Sequence, residues 1–211
     1  MPAMRWIIIV WIACGVALAD QVDRLVEEEM QKQHIPGAAV AVLRDGRPVK
    51  ARGYGLASIE LNAPATAESV FKIGSISKQF IAAGVLVLLG EGKVALDDSI
   101  AKYLEDAPEA WKPITLRQLL SHTSGILREG PVFEFLRTKP DIEVIRSAYA
   151  RPLEFAPGEK WQYCNVCYFA LAEVITRVSG TAWPAFLEER IFRPLGKTAT
   201  RATSTFDIVP H

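Results

Sequence analysis

The sequence predicts an α+β protein, and three observations carry that reading. A strand hairpin signal lies near the front, an almost wholly apolar helical stretch follows it, and the second half is helical throughout. Residues Val22, Leu25, Val26 and Met30 share one helical face, so a first helix spans about 21–34 and stops at Ile35-Pro36-Gly37. Ala38 to Leu43 and Val49 to Leu56 flank Asp45-Gly46, a dipeptide that tolerates the left-handed turn of a tight antiparallel hairpin. From Ile76 to Leu89 the chain is apolar nearly all round, as expected of a helix buried on all sides, and Gly90 closes it. Thr115 and Gln118 form a capping box with Ile114 and Leu119 placed as its staple. A further helix runs from about Val166 to Val178, ending at Gly180, and a shorter one follows Thr181 and reaches about Phe192. No internal repeat, Ser/Gly linker or charge block marks a domain boundary.

Composition narrows the function. The chain has 211 residues, half of them hydrophobic, which is ample for a packed core. Lys+Arg and Asp+Glu are both 24, so the basic excess that phosphate contacts need is missing and nucleic acid is not expected as a partner. A small-molecule or peptide substrate is.

Arg5, the apolar run Trp6 to Ala13 and the small residues ending in Ala17-Leu18-Ala19 read as a secretory signal over residues 1–19, with the mature chain starting near Asp20. The run is shorter than the roughly 20 residues a membrane span needs, so no stable span is expected after cleavage; an uncleaved anchor is the alternative. Either way the chain is expected to be exported, to the periplasm or beyond.

Chemistry is suggested at two places. Gly74-Ser75-Ile76-Ser77-Lys78 sets a serine and a lysine three apart at a helix start, where i and i+3 share a face. A serine hydroxyl is a poor nucleophile until a base takes its proton, and a lysine amine can be that base. The helix start adds backbone N–H groups and a positive dipole end that favour developing negative charge. The pattern is weak alone, since roughly half a match is expected by chance. Ser69/Lys72 and Ser99/Lys102 share it, but the first falls in an extended stretch and the second in an exposed first turn. The other place is Tyr163-Cys164-Asn165, between the Pro157-Gly158 turn and a buried helix, where alternate residues point one way. A tyrosine beside a lysine can shuttle protons, and an asparagine can orient the lysine or hold a substrate carbonyl.

Ser75-x-x-Lys78, Ser121-His122-Thr123-Ser124-Gly125, Tyr163-x-Asn165 and Arg193-Pro194-Leu195-Gly196, in that order, resemble the serine β-lactamase-related and penicillin-binding-protein-like superfamily, in its class C β-lactamase, D-aminopeptidase and esterase branches. The resemblance covers about 20–203. It implies Ser75 as the acylated nucleophile, Lys78 as proton acceptor, Tyr163 as acid/base partner and Asn165 as a substrate-orienting residue, with no metal or cofactor. It implies an antiparallel sheet flanked by helices, joined to an all-helical region, over residues 20–211.

Two departures stand out. The family's third motif, a Lys-Thr-Gly or His/Trp-x-Gly strand, is not found; Gly196-Lys197-Thr198-Ala199 follows a turn and reads as a decoy. The domain is therefore expected to be incomplete at its C-terminus, and a non-catalytic fragment or ligand-binding remnant is the alternative to a serine hydrolase. The other departure is Cys167, where the family commonly has glycine. It pairs in spacing with Cys164, and the sequence leaves open whether the two are buried thiols or a disulfide. A Ser75–His122–Asp98 triad is a further alternative, although His122 sits in a Thr-Ser-Gly turn that suits a structural role.

Overall fold

The computed structural model describes residues 21–131 and 140–203, so the expected signal segment lies outside the described residues. The chain divides into two compact units, one running to Phe71 and the other starting at Lys72.

The first unit holds helix α1, residues 21–33, and a three-stranded antiparallel sheet in the order β1 (Gly37–Arg44), β2 (Arg47–Ser58), β3 (Ala63–Pro64). Asp45 and Gly46 both adopt positive φ, 51° and 73°, the primed-turn geometry whose twist matches the strands it joins. The short strand β3 has no hydrophobic alternation to announce it. On α1, Leu25 is exposed rather than inward, and Asp23 takes the inner position. Its carboxylate accepts from the Tyr54 hydroxyl at 2.5 Å and from Arg52 at 2.9 Å, and pairs with Lys50, which ties α1 to β2.

The second unit is helical. A 3-10 turn, Gly74–Ser77, leads into α2 (Lys78–Gly90), followed by α3 (Leu116–Leu120), α4 (Asp141–Ser147), α5 (Asn165–Ser179) and α6 (Trp183–Leu187), which continues as a π-helical turn over Glu188–Phe192. The core is formed around α5, with Leu88 of α2, Trp111, Leu119 of α3, Ile145 of α4, Leu171 and Leu187 all but fully buried. Burial of this kind is the main stabilising contribution, about 25 cal/mol for each Å² of apolar surface. The Thr115–Gln118 capping box forms as expected, Gln118 N–H donating to Thr115 Oγ1 while Gln118 Oε1 accepts from Thr115 N–H.

Helix α2 departs from expectation in two ways. It buries one face, Ile81, Gly84, Val85 and Leu88, against α5 and α6, while Leu86 is exposed, so it is not covered on all sides, and Ile76 lies exposed in the 3-10 turn before it. Its close approach to α5 and α6 is set by Gly84, where an added Cβ would sit 2.8 Å from Ile175 Cδ1 and 2.9 Å from Leu187 Cδ2. The left-handed terminator is Gly92 (φ 69°) rather than Gly90, because Gly92 and Lys93 donate back to Leu89 and Leu88. Among the described residues no helix is long and apolar enough to cross a membrane.

Candidate functional site

All four residues singled out by sequence lie in the helical unit, and they converge on Lys78. The 3-10 turn puts Ser75 one turn ahead of Lys78, the first residue of α2, and the ammonium reaches Ser75 Oγ at 3.3 Å. The same Nζ donates to Asn165 Oδ1 at 2.7 Å and lies 4.6 Å from the centre of the Tyr163 ring and 5.5 Å from that of Tyr168. Ser75 is exposed and Lys78 half-buried, so an approaching ligand meets the hydroxyl first.

Two loops hold Tyr163 and Asn165 in place. Gly158, at φ 89°, donates to Thr123 O at 2.7 Å; Gln162 N–H donates to His122 O at 2.9 Å; Asn165 N–H donates to Arg128 O at 2.8 Å. The stretch 122–128 is thus stitched along 154–165. Gly125 (φ 79°) is required there, because a Cβ would sit 2.1 Å from Phe155 O. Cys164 is the N-cap of α5, its sulfur accepting from Cys167 N–H. That leaves the Asn165 side chain free of capping and available to Lys78. Cys164 and Cys167 are joined as a disulfide, both fully buried.

The Tyr163 hydroxyl is buried and satisfies hydrogen-bond geometry with no described residue. Burial pushes its pKa up, but the nearby Lys78 and Ser75 and the Arg128 guanidinium, 5.3 Å from the ring, outweigh this, so the phenol ionises below its usual range. Hydrogen bonding toward Lys78 and Ser75 leads this lowering, ahead of the Lys78 and Arg128 charges, although neither pair meets full hydrogen-bond geometry.

His122 does not belong to a triad. Its Nδ1 accepts from Cys164 N–H at 3.0 Å, the nitrogen that would have to donate to a carboxylate. Its ring stacks on Tyr163 with centres 4.7 Å apart. Burial, and then the charge of Lys78, holds it below the ordinary histidine range, which keeps it neutral. Asp98 is bound to the Tyr103 hydroxyl, Ala95 N–H and Lys102, and these bonds pull it down to about 2. The other two Ser/Lys pairs are not pairs in space: Ser69 accepts from Thr66 N–H, and Ser99 caps the 3-10 turn at Ile100 and donates to Lys112 O. Lys197 lies in the turns after Pro194, not on a strand.

Three residues around the site escaped the sequence reading. Tyr168 donates to Leu120 O at 3.0 Å and turns its ring toward Lys78; Arg128 faces Tyr163; Glu129 accepts from Asn165 Nδ2 at 3.2 Å. Only Tyr168 had a local signal, three residues beyond Asn165 on the same helix.

A serine and a lysine at the start of α2, with a tyrosine and an asparagine brought in from the segment that opens α5, are arranged as the resemblance to the serine β-lactamase and penicillin-binding-protein class leads one to expect. The chain belongs to the Beta-lactamase family, whose model matches residues 22–208. It is 28% identical over 197 residues to Protein flp of Staphylococcus aureus, a match covering 90% of this chain and 40% of flp. It is 29% identical over 200 residues to Esterase EstB of Burkholderia gladioli, covering 86% of this chain and 51% of EstB. Among solved structures, the octameric penicillin-binding protein homologue from Pyrococcus abyssi superposes with a TM-score of 0.76 at 29% identity, over 86% of this chain and 44% of that one. D-amino acid amidase from Ochrobactrum anthropi SV3 does so with a TM-score of 0.76 at 26% identity, over 86% and 51%. The chain therefore spans about half the length of the relatives it matches, and its small antiparallel sheet and helices align to part of their larger β-lactamase/transpeptidase fold.

Proposed function

We propose that this protein is an exported serine hydrolase that works through an acyl-enzyme on Ser75, with β-lactams, D-amino-acid amides and peptides, or carboxylic esters as its substrate class. The observation that carries the reading is the convergence of Ser75, Asn165 and Tyr163 on one ammonium, at 3.3 Å, 2.7 Å and 4.6 Å to the ring centre. An esterase and a D-amino acid amidase among the relatives support the substrate class. The oxidised Cys164–Cys167 pair fits an oxidising compartment and so supports export.

In the proposed reaction Ser75 Oγ attacks the substrate carbonyl carbon while its proton passes to the Lys78–Tyr163 pair. The pair acts as one acid/base unit, since the ammonium that lowers the tyrosine's pKa is also its proton-transfer partner. The C–O or C–N bond then breaks, and the leaving group takes that proton. Water attacks the acyl-Ser75 ester, gives a proton to the same pair, and the acid departs as Ser75 regains its hydrogen. Asn165 keeps one amide hydrogen for the substrate carbonyl while its oxygen holds Lys78.

The test is to incubate the protein with a fluorophosphonate and with a fluorescent penicillin, and to locate the adduct by peptide mass spectrometry. Ser75 is expected to be the labelled residue, and Lys78→Ala is expected to slow labelling by about a hundredfold or more. An adduct on Ser69 or Ser99, or none in the folded protein, overturns the reading and leaves a ligand-binding member of the family.

A further inference from the structure

The Asn165 side chain has two chemically opposite ends, and the site needs them one way round. Lys78 offers only donors, so the amide must turn Oδ1 toward it; a flipped amide would set NH2 against an ammonium. Nothing in the Lys78 contact itself prevents the amide from swinging away. On the far side of the amide stands a group that accepts and never donates when ionised, the Glu129 carboxylate, whose Oε1 takes a hydrogen bond from Asn165 Nδ2 at 3.2 Å.

We propose that Glu129 is a positioning residue for the acylation of Ser75, acting through Asn165. The inference rests on the serine-hydrolase reading above and adds to it a residue 36 positions away in sequence. The loop carrying Glu129 is fixed against Asn165 by its neighbour Arg128. The backbone carbonyl of its neighbour Arg128 accepts from Asn165 N–H at 2.8 Å, and the Arg128 Nε reaches Glu129 Oε1 at 3.4 Å. Main chain and side chain of Asn165 are thus gripped by consecutive residues of one loop. With one amide hydrogen committed to Glu129, the other has a single direction left, and the acceptor for it is the substrate carbonyl oxygen. A carboxylate fits this role because a charged acceptor makes the stronger bond, and its loss would leave the amide free to rotate.

The experiment compares Glu129→Ala, Glu129→Gln, Asn165→Ala and the Glu129→Ala/Asn165→Ala double variant, each checked for its melting temperature. Two measurements are made, the rate of Ser75 acylation by a fluorescent penicillin or a nitrophenyl ester, and the side-chain amide resonances of Asn165 by NMR. Glu129→Ala is expected to slow acylation by about tenfold, the scale of one hydrogen bond to a charged group. Glu129→Gln, which keeps an acceptor oxygen, is expected to restore most of the rate, and Glu129→Ala is expected to add nothing once Asn165 is gone. In NMR, Glu129→Ala should move the Asn165 amide hydrogen that faces Glu129 upfield toward the shift of a solvated amide, while Glu129→Gln should keep most of its hydrogen-bonded shift. Additive losses in the double variant would make Glu129 a direct substrate contact and overturn the proposal; so would unchanged amide resonances in Glu129→Ala. If the unaltered protein is not acylated at Ser75, the hydrolase reading fails by itself and the NMR comparison alone decides the role of Glu129.

Discussion

Replacing Tyr163 by phenylalanine separates catalysis from stability. The change removes one oxygen, which is buried and has no hydrogen-bond partner among the described residues. A buried hydroxyl without a partner costs a folded protein about 1–3 kcal/mol, so its deletion returns part of that sum. The ring remains, and with it the stack on His122 and the contacts with Lys78 at 4.6 Å and Arg128 at 5.3 Å. What is lost is the attraction between the hydroxyl and the Lys78 charge, which offsets some of the gain. For a chain of this length 1 kcal/mol moves the melting point by about 2–4 °C, so Tyr163→Phe should melt between unchanged and about 4 °C higher. Acylation should nonetheless fall by about 10² to 10⁴, the range for losing a general acid/base, equivalent to about 2.7–5.4 kcal/mol of barrier. The wild-type acylation rate should also rise with pH along a limb centred below the ordinary tyrosine range, because ionisation of Tyr163 is favoured, and the variant should lack that limb. Differential scanning fluorimetry and a stopped-flow acylation assay from pH 5 to 10 measure both. A variant that melts more than about 4 °C lower, or that acylates within threefold of wild type, would refute the idea that this hydroxyl is kept for chemistry rather than packing.

Two other changes should act through the fold. His122→Ala removes an acceptor from Cys164 N–H and a stacked ring, and it places alanine at φ 61°; these effects together are expected to cost about 2–4 kcal/mol, read by urea denaturation, with residual activity tracking the folded fraction. His122 is also held below its ordinary pKa, so the unfolded chain binds a proton that the native chain refuses. Its contribution is complete above about pH 6.5 and is lost as pH falls through the native value, an acid limb that His122→Ala should remove from the stability profile. Gly84→Val should destabilise by about 2–3 kcal/mol, because its Cβ already crowds Ile175 and Leu187; Gly84→Ala should cost far less, since its helix propensity gain of about 1 kcal/mol offsets the crowding, and equal melting of both variants would contradict this packing.

What could be read from the sequence was set by neighbours within a few positions. The Asp45-Gly46 turn, the Thr115–Gln118 capping box and the Gly180 terminator of α5 each rest on one or two local backbone angles and one side chain, so residue type suffices to announce them. Ser75 and Lys78 are of the same kind, since three residues along a helix turn put hydroxyl and ammonium on one face, where they meet at 3.3 Å. Tyr163 and Asn165 were legible as a pair because alternate residues of an extended segment share a side. That they meet Lys78, 87 residues from Asn165, is a fact of packing between α2 and α5.

Tertiary structure alone decided the rest. The inward turn of Asp23 in place of Leu25 depends on cations and a phenol supplied by β2, and the exposure of Leu86 depends on which faces of α2 meet α5 and α6. His122 reads as a catalytic histidine or a structural one until the backbone of Cys164 is seen donating to its Nδ1. Glu129 carried no signal, because an isolated charged residue in a loop is ordinarily solvated. Its proposed meaning comes from the loop 122–128 folding back along 154–165, which sets an acceptor-only group against the one face of Asn165 that has hydrogens to give. Hydrogen bonds are directional and short, so such a contact is specified by where two distant backbones are placed and not by the residues' own propensities.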